Sequence, residues 1–372
     1  MFKAEKSALL SALETARGAV ERRNTIPILA NVLFEEGGEK GHLRVRATDL
    51  DIEITVKFAA EIDKGFMAFT VPAQLMTSIV KNMGGSEISV TAEPDKSGGL
   101  HEVVVRSGRS RFRVPVLPAT DFPSLPEIRE KPFELDAAAF RQGLIDTAFA
   151  IAPANDSREM LKGVFIDRRE HDIALVATHG HYMARRIIDA GESPSDLPAA
   201  IIPDKTVSIL TKALPEAGTL QVAIDDSRIS IGMGSKSISS KLIDATYHDY
   251  NRMILPGMDL EATADRKALA EAVKRVGLVA SEMSRAAVLQ FGKGTLSVEM
   301  ASPDAGDATD ELEIECGFEE RVGINQSYLA ATLDHIPGSR VTMRRTKGGD
   351  RVEITSPDGH DDDIVIVMMM RV

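Results

Sequence analysis

The chain of 372 residues contains one cysteine, Cys316, so neither an internal disulfide nor a Cys-x-x-Cys metal site can form within it. No apolar run approaches the roughly 20 residues that a membrane-spanning helix needs. The Met1 end lacks the basic-then-apolar pattern of a signal peptide, so a soluble protein of the reducing cytoplasm, with no membrane contact, is expected. Positive charge is in short supply: 44 Lys and Arg stand against 56 Asp and Glu, a net charge of −12. That balance argues against a conventional nucleic-acid binder, whose affinity comes from a basic surface neutralising phosphates. Any role on DNA must concentrate cations locally or hold the duplex by topology. Catalytic motifs are missing as well. Gly232-Met233-Gly234 lacks the third glycine and following helix of a dinucleotide loop, and there is no Gly-Lys-Ser/Thr phosphate loop. No nucleophile motif supports a Ser/His/Asp order. No cofactor, resident metal or enzymatic activity is expected.

What is present is apolar material, 43% of residues, in a chain too long for one ordinary core of about 100–150 residues. Its arrangement repeats. Amphipathic helices are predicted at 6–20, 136–151 and 265–280, starting about 130 residues apart. Their apolar faces read Leu9, Leu13, Ala16, Val20; then Phe140, Leu144, Ala148; then Leu269, Val273, Val276, Ala280. Asp136 and Asp265 are candidate N-caps. A second helix recurs at 73–83, 204–214 and 326–336, with stripes Leu75, Ile79, Met83; Val207, Leu210, Leu214; and Leu329, Leu333, Ile336. Short β-type segments lie between and after them, for example at 43–46, 87–91, 102–106, 173–176, 220–224, 295–299, 340–344 and 364–370. Each unit reads as strands with two helices, an α+β plan. Three similar domains follow, at 1–126, 127–252 and 253–372, with turns near Pro123–Pro132 and at Ile254-Leu255-Pro256-Gly257 marking the joints.

Specific stretches carry a resemblance. They are Arg23-Asn24-Thr25-Ile26-Pro27-Ile28-Leu29, then Ala47-Thr48-Asp49-Leu50-Asp51-Ile52-Glu53-Ile54, then Ser107-Gly108-Arg109-Ser110-Arg111-Phe112 through Leu117-Pro118 to Asp121-Phe122-Pro123. Further along come Ser240-Lys241-Leu242-Ile243-Asp244, Gly323-Ile324-Asn325 with Tyr328, and Met368-Met369-Met370-Arg371-Val372. In this order and spacing the chain resembles the DNA polymerase III beta subunit, the bacterial sliding clamp, over essentially its whole length.

The resemblance implies three domains of one fold, helices packed on antiparallel sheets, and a head-to-tail homodimer closing into a ring. Closure reconciles an acidic chain with DNA replication, because a topological link needs little affinity for phosphate and lets the ring slide as a processivity factor. The implied partners are double-stranded DNA without sequence preference, a DNA polymerase catalytic subunit, a clamp loader complex, other proteins carrying a clamp-binding motif, and a second copy of the chain. Arg17, Arg22, Arg23, Lys81, Arg141, Lys205, Lys212, Arg266, Lys267, Lys274 and Arg275 lie in or beside the six helices and are candidates for a DNA-facing surface, against the plainer reading of solvated helix faces. Arg23 matches a family residue that contacts DNA.

The family holds partners by a short apolar peptide in a cleft between the second and third domains. By positional match its walls are Leu161, Thr178, Gly180, His181, Met183, His248, Arg252, Met253, Asn325, Tyr328, Ile366, Val367, Met368, Met369, Met370 and Arg371. The methionines suit an adaptable groove, or equally a terminal strand packed in the core. Three places depart from the family pattern. The usual Thr-Asp-Gly-His-Arg-Leu stands as Thr178-His179-Gly180-His181-Tyr182-Met183, Phe-Pro-Asp-Tyr as Tyr247-His248-Asp249-Tyr250, and Met-Pro-Met-Arg as Met368-Met369-Met370-Arg371. Loss of proline frees the backbone. A clamp with altered partner specificity is therefore expected, with a non-clamp three-domain scaffold as the rival. His179 and His181, read as sharing one strand face, with His248 form an alternative metal site, and His360-Asp361-Asp362-Asp363 reads as a solvated turn. Ring closure is assigned by match to Phe112 and Val114 on the first domain and Leu278 and Val279 on the third, with ordinary core residues as the alternative.

Overall fold

The computed structural model describes residues 1–21, 25–92, 100–254, 258–281 and 284–372. Helices α1 (Lys6–Ala16), α2 (Ala73–Asn82), α3 (Ala137–Ala148), α4 (Asp204–Ala213), α5 (Arg266–Val276) and α6 (Gln326–His335) stand where periodicity places them. Short 3-10 turns, Arg17–Ala19 and Gly277–Val279, extend α1 and α5. Asp265 caps α5 by accepting from the Ala268 N–H at 2.7 Å, and Asn325 caps α6 through the Ser327 N–H at 3.0 Å. The stripes are buried at Leu9, Leu13, Leu144, Leu269, Val273, Leu329 and Leu333. Leu75 departs from expectation: it is exposed, because the buried arc of α2 runs through Ala73, Met76, Ile79 and Val80. Among the described residues no helix is long and apolar enough to cross a membrane.

The chain divides into two compact units, Met1–Ala137 with Ser208–Leu242, and Ala138–Val207 with Ile243–Val372. In the first unit a five-stranded antiparallel sheet ends on the strand Ser110–Pro115, and a nine-stranded sheet joins the first repeat to the second. The join is made by strand Ile52–Ala59 against Lys236–Lys241, in register Ile54↔Ile238, with Lys241 Nζ 2.9 Å from Asp51 Oδ1. Phe2, Phe34, Phe58 and Phe69 stack at the core of this unit. Hydrogen-bonded sheet thus passes through the place where the sequence suggests a joint.

In the second unit a thirteen-stranded arrangement does the same. Strand Tyr182–Asp189 of the second repeat pairs antiparallel with the terminal strand Ile364–Met370, in register Met183↔Ile366. The terminal strand also pairs with Arg351–Thr355 and Glu320–Asn325 of the third repeat. Gly306–Glu313 is the outer strand of the sheet. The turn before the terminal strand is solvated in its first half, at the exposed His360 and Asp361, and tied to the second repeat in its second half. Asp362 meets Arg169 at 3.0 Å and the buried Arg185 at 3.1 Å, and Asp363 accepts the Ile187 N–H at 2.7 Å. Burial opposes ionisation of Asp362, yet the Arg169 hydrogen bond and the charges of Arg185 and Arg169 hold its carboxyl below the ordinary value. Burial pushes the Asp363 carboxyl up.

Candidate functional site

Side chains of a strand alternate between its two faces, so Ile364, Ile366, Met368 and Met370 share one face of the terminal strand. That face runs from a buried end into the open: Ile364 and Ile366 are buried, Met368 is half-buried and Met370 is 38% exposed. Its buried end belongs to an apolar cluster with Leu161, Met183, Tyr247 and Tyr250, against which Met160 and Met253 are partly buried. Leu161, Met183 and Ile366 are therefore core residues of this unit, their side chains already covered. Val367 and Met369 point to the opposite face, which corrects their assignment to the same wall.

The hairpin turn 178–182 adjoins the terminal strand, whose Met368 N–H donates to the His181 carbonyl at 2.8 Å. Thr178 Oγ1 accepts from the Gly180 N–H at 3.1 Å and donates to the Tyr182 carbonyl at 2.7 Å. Gly180 sits at φ +96°, where a side chain is strained, and a Cβ there would lie 2.7 Å from Arg158 Nη1. Arg158 covers the turn, donating to the His179 carbonyl at 2.8 Å while it grips Asp156 through Nε and Nη2 at 3.0 and 2.8 Å. These bonds hold the Asp156 carboxyl far below its ordinary range. No spacing or motif marks Arg158 in the sequence; it reaches the turn only through the fold.

His179 and His181 lie in this turn and not on one strand face, since the flanking strands end at Thr178 and begin at Tyr182. They join an aromatic column. His335 stacks on Phe149 at 4.6 Å, Phe149 on Tyr182 at 5.5 Å, and Tyr182 tilts against Tyr328 at 4.8 Å. His179 packs on Tyr182 at 4.0 Å and His181 on Tyr328 at 6.1 Å. The buried Tyr182 donates its hydroxyl to the Phe149 carbonyl at 2.7 Å, and burial pushes its phenol up to about 12. Burial, then His181 and Arg158, push His179 down to about 4, so its imidazole is neutral at physiological pH. Among the described residues no three His, Cys, Asp or Glu side chains gather as a metal site. At the rim, His248 and Arg371 are exposed, Arg252 pairs with Asp249 at 3.2 Å, and Asn325 is buried in its capping role.

Of the helix-borne cations, Arg22 and Arg23 lie outside the described residues. Arg17 donates to Gln74 at 2.7 Å, and Arg141 is half-buried. Lys205 and Lys212 are exposed. Lys81 faces Glu14 at 3.7 Å, Lys267 faces Glu271 at 4.0 Å and Lys274 faces Asp334 at 2.8 Å. Such exposed pairs are worth little in water and yield readily to a stronger anion. Two candidates serve the protein itself. Arg266 donates to the carbonyls of Gly338 and Leu333, and Arg275 is bound to Asp310 on the outer strand, which raises the guanidinium pKa. Acidic neighbours that the helical pattern does not reveal make this surface mixed rather than purely basic.

Two of the sheet-end strands among the described residues differ in charge. Strand Ser110–Pro115 exposes Phe112, 44% accessible, with Arg111 and Arg113 beside it. Val114, by contrast, is fully buried, so it is a core residue of the protomer and not part of an external patch. Strand Gly306–Glu313 carries Asp307, Asp310, Glu311 and Glu313. Near the end of α5 Leu278 is 84% exposed and Val279 half-buried.

Comparison with known proteins places these features. Family profiles for the N-terminal, central and C-terminal domains of the DNA polymerase III beta subunit match residues 1–126, 134–249 and 252–371. The chain is 32% identical to the beta sliding clamp of Caulobacter vibrioides over 91% of both chains, and 30% identical to that of Pseudomonas aeruginosa over 100% of this chain and 99% of the other. The crystal structure of the Pseudomonas aeruginosa subunit superposes with a TM-score of 0.93 at 30% identity, covering all of both chains. A sliding clamp from Bartonella birtlesii bound to griselimycin gives 0.90 at 31% identity, again covering both chains fully.

Proposed function

This chain belongs to the DNA polymerase III beta subunit family, and from that membership we propose that two copies close head to tail around duplex DNA and hold partner proteins in the groove beside the terminal strand. The chain is a sliding clamp, a processivity subunit for DNA polymerase. Sliding clamps tether and do not catalyse. The family match sets the three-domain scaffold aside.

One observation carries the closure: two of the sheet-end strands among the described residues bear opposite charge, the arginine-bearing Ser110–Pro115 and the acidic Gly306–Glu313, each with an exposed apolar residue on it or near it, Phe112 and Leu278. An exposed edge is a template for pairing with another chain. Pairing the edge of one copy with the different edge of the next is a heterologous contact, which forms a ring when its rotation closes. Complementary charge fixes the partner and the register. Inside such a ring the exposed Lys205 and Lys212, and the lysines now paired with acids, exchange partners for phosphates. A topological link then tolerates the net charge of −12. Polymerase catalytic subunit, clamp loader and other motif-bearing proteins compete for the groove.

The groove also supports a shifted partner preference. Where the family pattern has arginine, Tyr182 is buried in the aromatic column, and His179, neutral at physiological pH, stands where the pattern has aspartate. This end of the groove has lost one charge of each sign and gained ring surface, which favours an aromatic or apolar side chain over a polar one in the docked peptide.

Sedimentation and electron microscopy test closure: a dimer with a central hole is expected, and a monomer at micromolar concentration ends the reading. Retention on nicked circular DNA, with release when the circle is linearised, tests the topological link; protein that stays on linear DNA binds by another mode.

A further inference from the structure

We infer that the methionine face of the terminal strand is an oxidation site, at which hydroperoxide converts Met370, and Met368 behind it, to the sulfoxide and thereby weakens partner binding. The inference rests on the reading of this groove as the partner cleft. Its ground is the gradient along one strand face: Ile364 and Ile366 buried, Met368 half-buried, Met370 38% exposed. The apolar character of the groove is thus continued to its open end by thioethers and not by aliphatic carbon. A thioether is apolar and adaptable, but it is also one of the few apolar groups that peroxide attacks. In the reaction the sulfur takes one oxygen atom from hydrogen peroxide, the O–O bond breaks, water leaves, and sulfur is oxidised by two electrons. The product is polar and a strong acceptor. Burying it under an apolar peptide without a donor costs enough to weaken binding about tenfold or more.

The rest of the chain supplies controls. Met67 has nearly the same exposure, 37%, and belongs to the first unit, whereas the terminal strand belongs to the second. Met76 and Met183 are fully buried. Peroxide therefore has equal access to Met67 and Met370 and little to Met76 and Met183. Occlusion adds a second signature: whatever binds over Met370 shields its sulfur from peroxide and slows its oxidation, while leaving Met67 unaffected.

The test uses the full chain, hydrogen peroxide, and griselimycin as the groove probe. After limited oxidation, peptide mass spectrometry is expected to find one added oxygen at Met370 and at Met67. Griselimycin affinity is expected to fall about tenfold. The Met370→Leu and Met368→Leu/Met370→Leu variants each bind griselimycin equally before and after treatment, whatever their own starting affinity, and Met67→Leu does not protect. Griselimycin present during treatment spares Met370 and not Met67. Sulfoxide at Met370 with unchanged affinity overturns the inference, as does a loss that persists in the double variant. If untreated protein fails to bind griselimycin at all, the groove assignment itself falls and the inference with it, an outcome distinct from binding that oxidation leaves intact.

Discussion

Arg185 and Asp362 join the second repeat to the third: the buried guanidinium donates from Nε to the Asp362 carbonyl at 2.9 Å and meets its carboxylate at 3.1 Å. The pair lies where strand Tyr182–Asp189 receives the terminal strand, so it sets the start of the strand that carries the groove face. Removing Asp362 takes the paired carboxylate from a buried cation and leaves it the residue-362 carbonyl and the more distant charge of Glu353. Because the carboxylate is partly solvated, Asp362→Ala is expected to cost about 1–3 kcal/mol rather than the full cost of a buried pair. Urea unfolding measures the loss, and an unchanged midpoint contradicts the role assigned here.

Gly180 is required by backbone geometry and by the guanidinium above it. Gly180→Ala strains the turn by about 1–3 kcal/mol and displaces Arg158, so the 178–182 segment shifts. Griselimycin binding should weaken while the dimer persists in sedimentation. Equal weakening of both would show global damage instead.

Phe112 and Val114 separate by environment. Phe112→Ala and Leu278→Ala are expected to raise the dimer dissociation constant, each by up to about 1.5–3 kcal/mol, with little change in protomer unfolding. Val114→Ala should do the reverse, lowering the unfolding midpoint through a cavity. Added salt should loosen the dimer further, because the proposed pairing sets arginines of one edge against carboxylates of the other. Sedimentation against salt concentration reads this directly.

His179 gives a pH dependence with a definite sign. Its folded value of about 4 lies below the ordinary 6.5, so between these limits unfolding takes up a proton. Its contribution to stability is therefore present above about pH 6.5 and is lost as the pH falls toward 4. The difference in unfolding midpoint between the native chain and His179→Asn should grow across that window and be flat above it. A difference that does not vary with pH places the imidazole in water.

Much of the fold is legible in the residues in order. The 3.6-residue period places all six helices within a few residues of their observed ends, and the short β-type segments at 220–224 and 364–370 match strands Thr219–Ile224 and Ile364–Met370. The recurrence of these helices at about 130 residues adds the threefold plan. These succeed because helix and strand periods, caps and turn residues act over a few neighbours, which a linear chain displays.

Folding alone decided the rest. Strand Ile52–Ala59 finds Lys236–Lys241 nearly 190 residues away, and so ties two repeats into one sheet. Val114 and Phe112 stand two places apart on one strand, yet one is core and the other surface. Arg275 belongs to Asp310, Arg158 to the turn at Gly180, and Asp362 to Arg185. A charge has no partner, and a side chain no inside or outside, until distant segments are packed together. Those relations depend on distances in space that the order of residues does not contain.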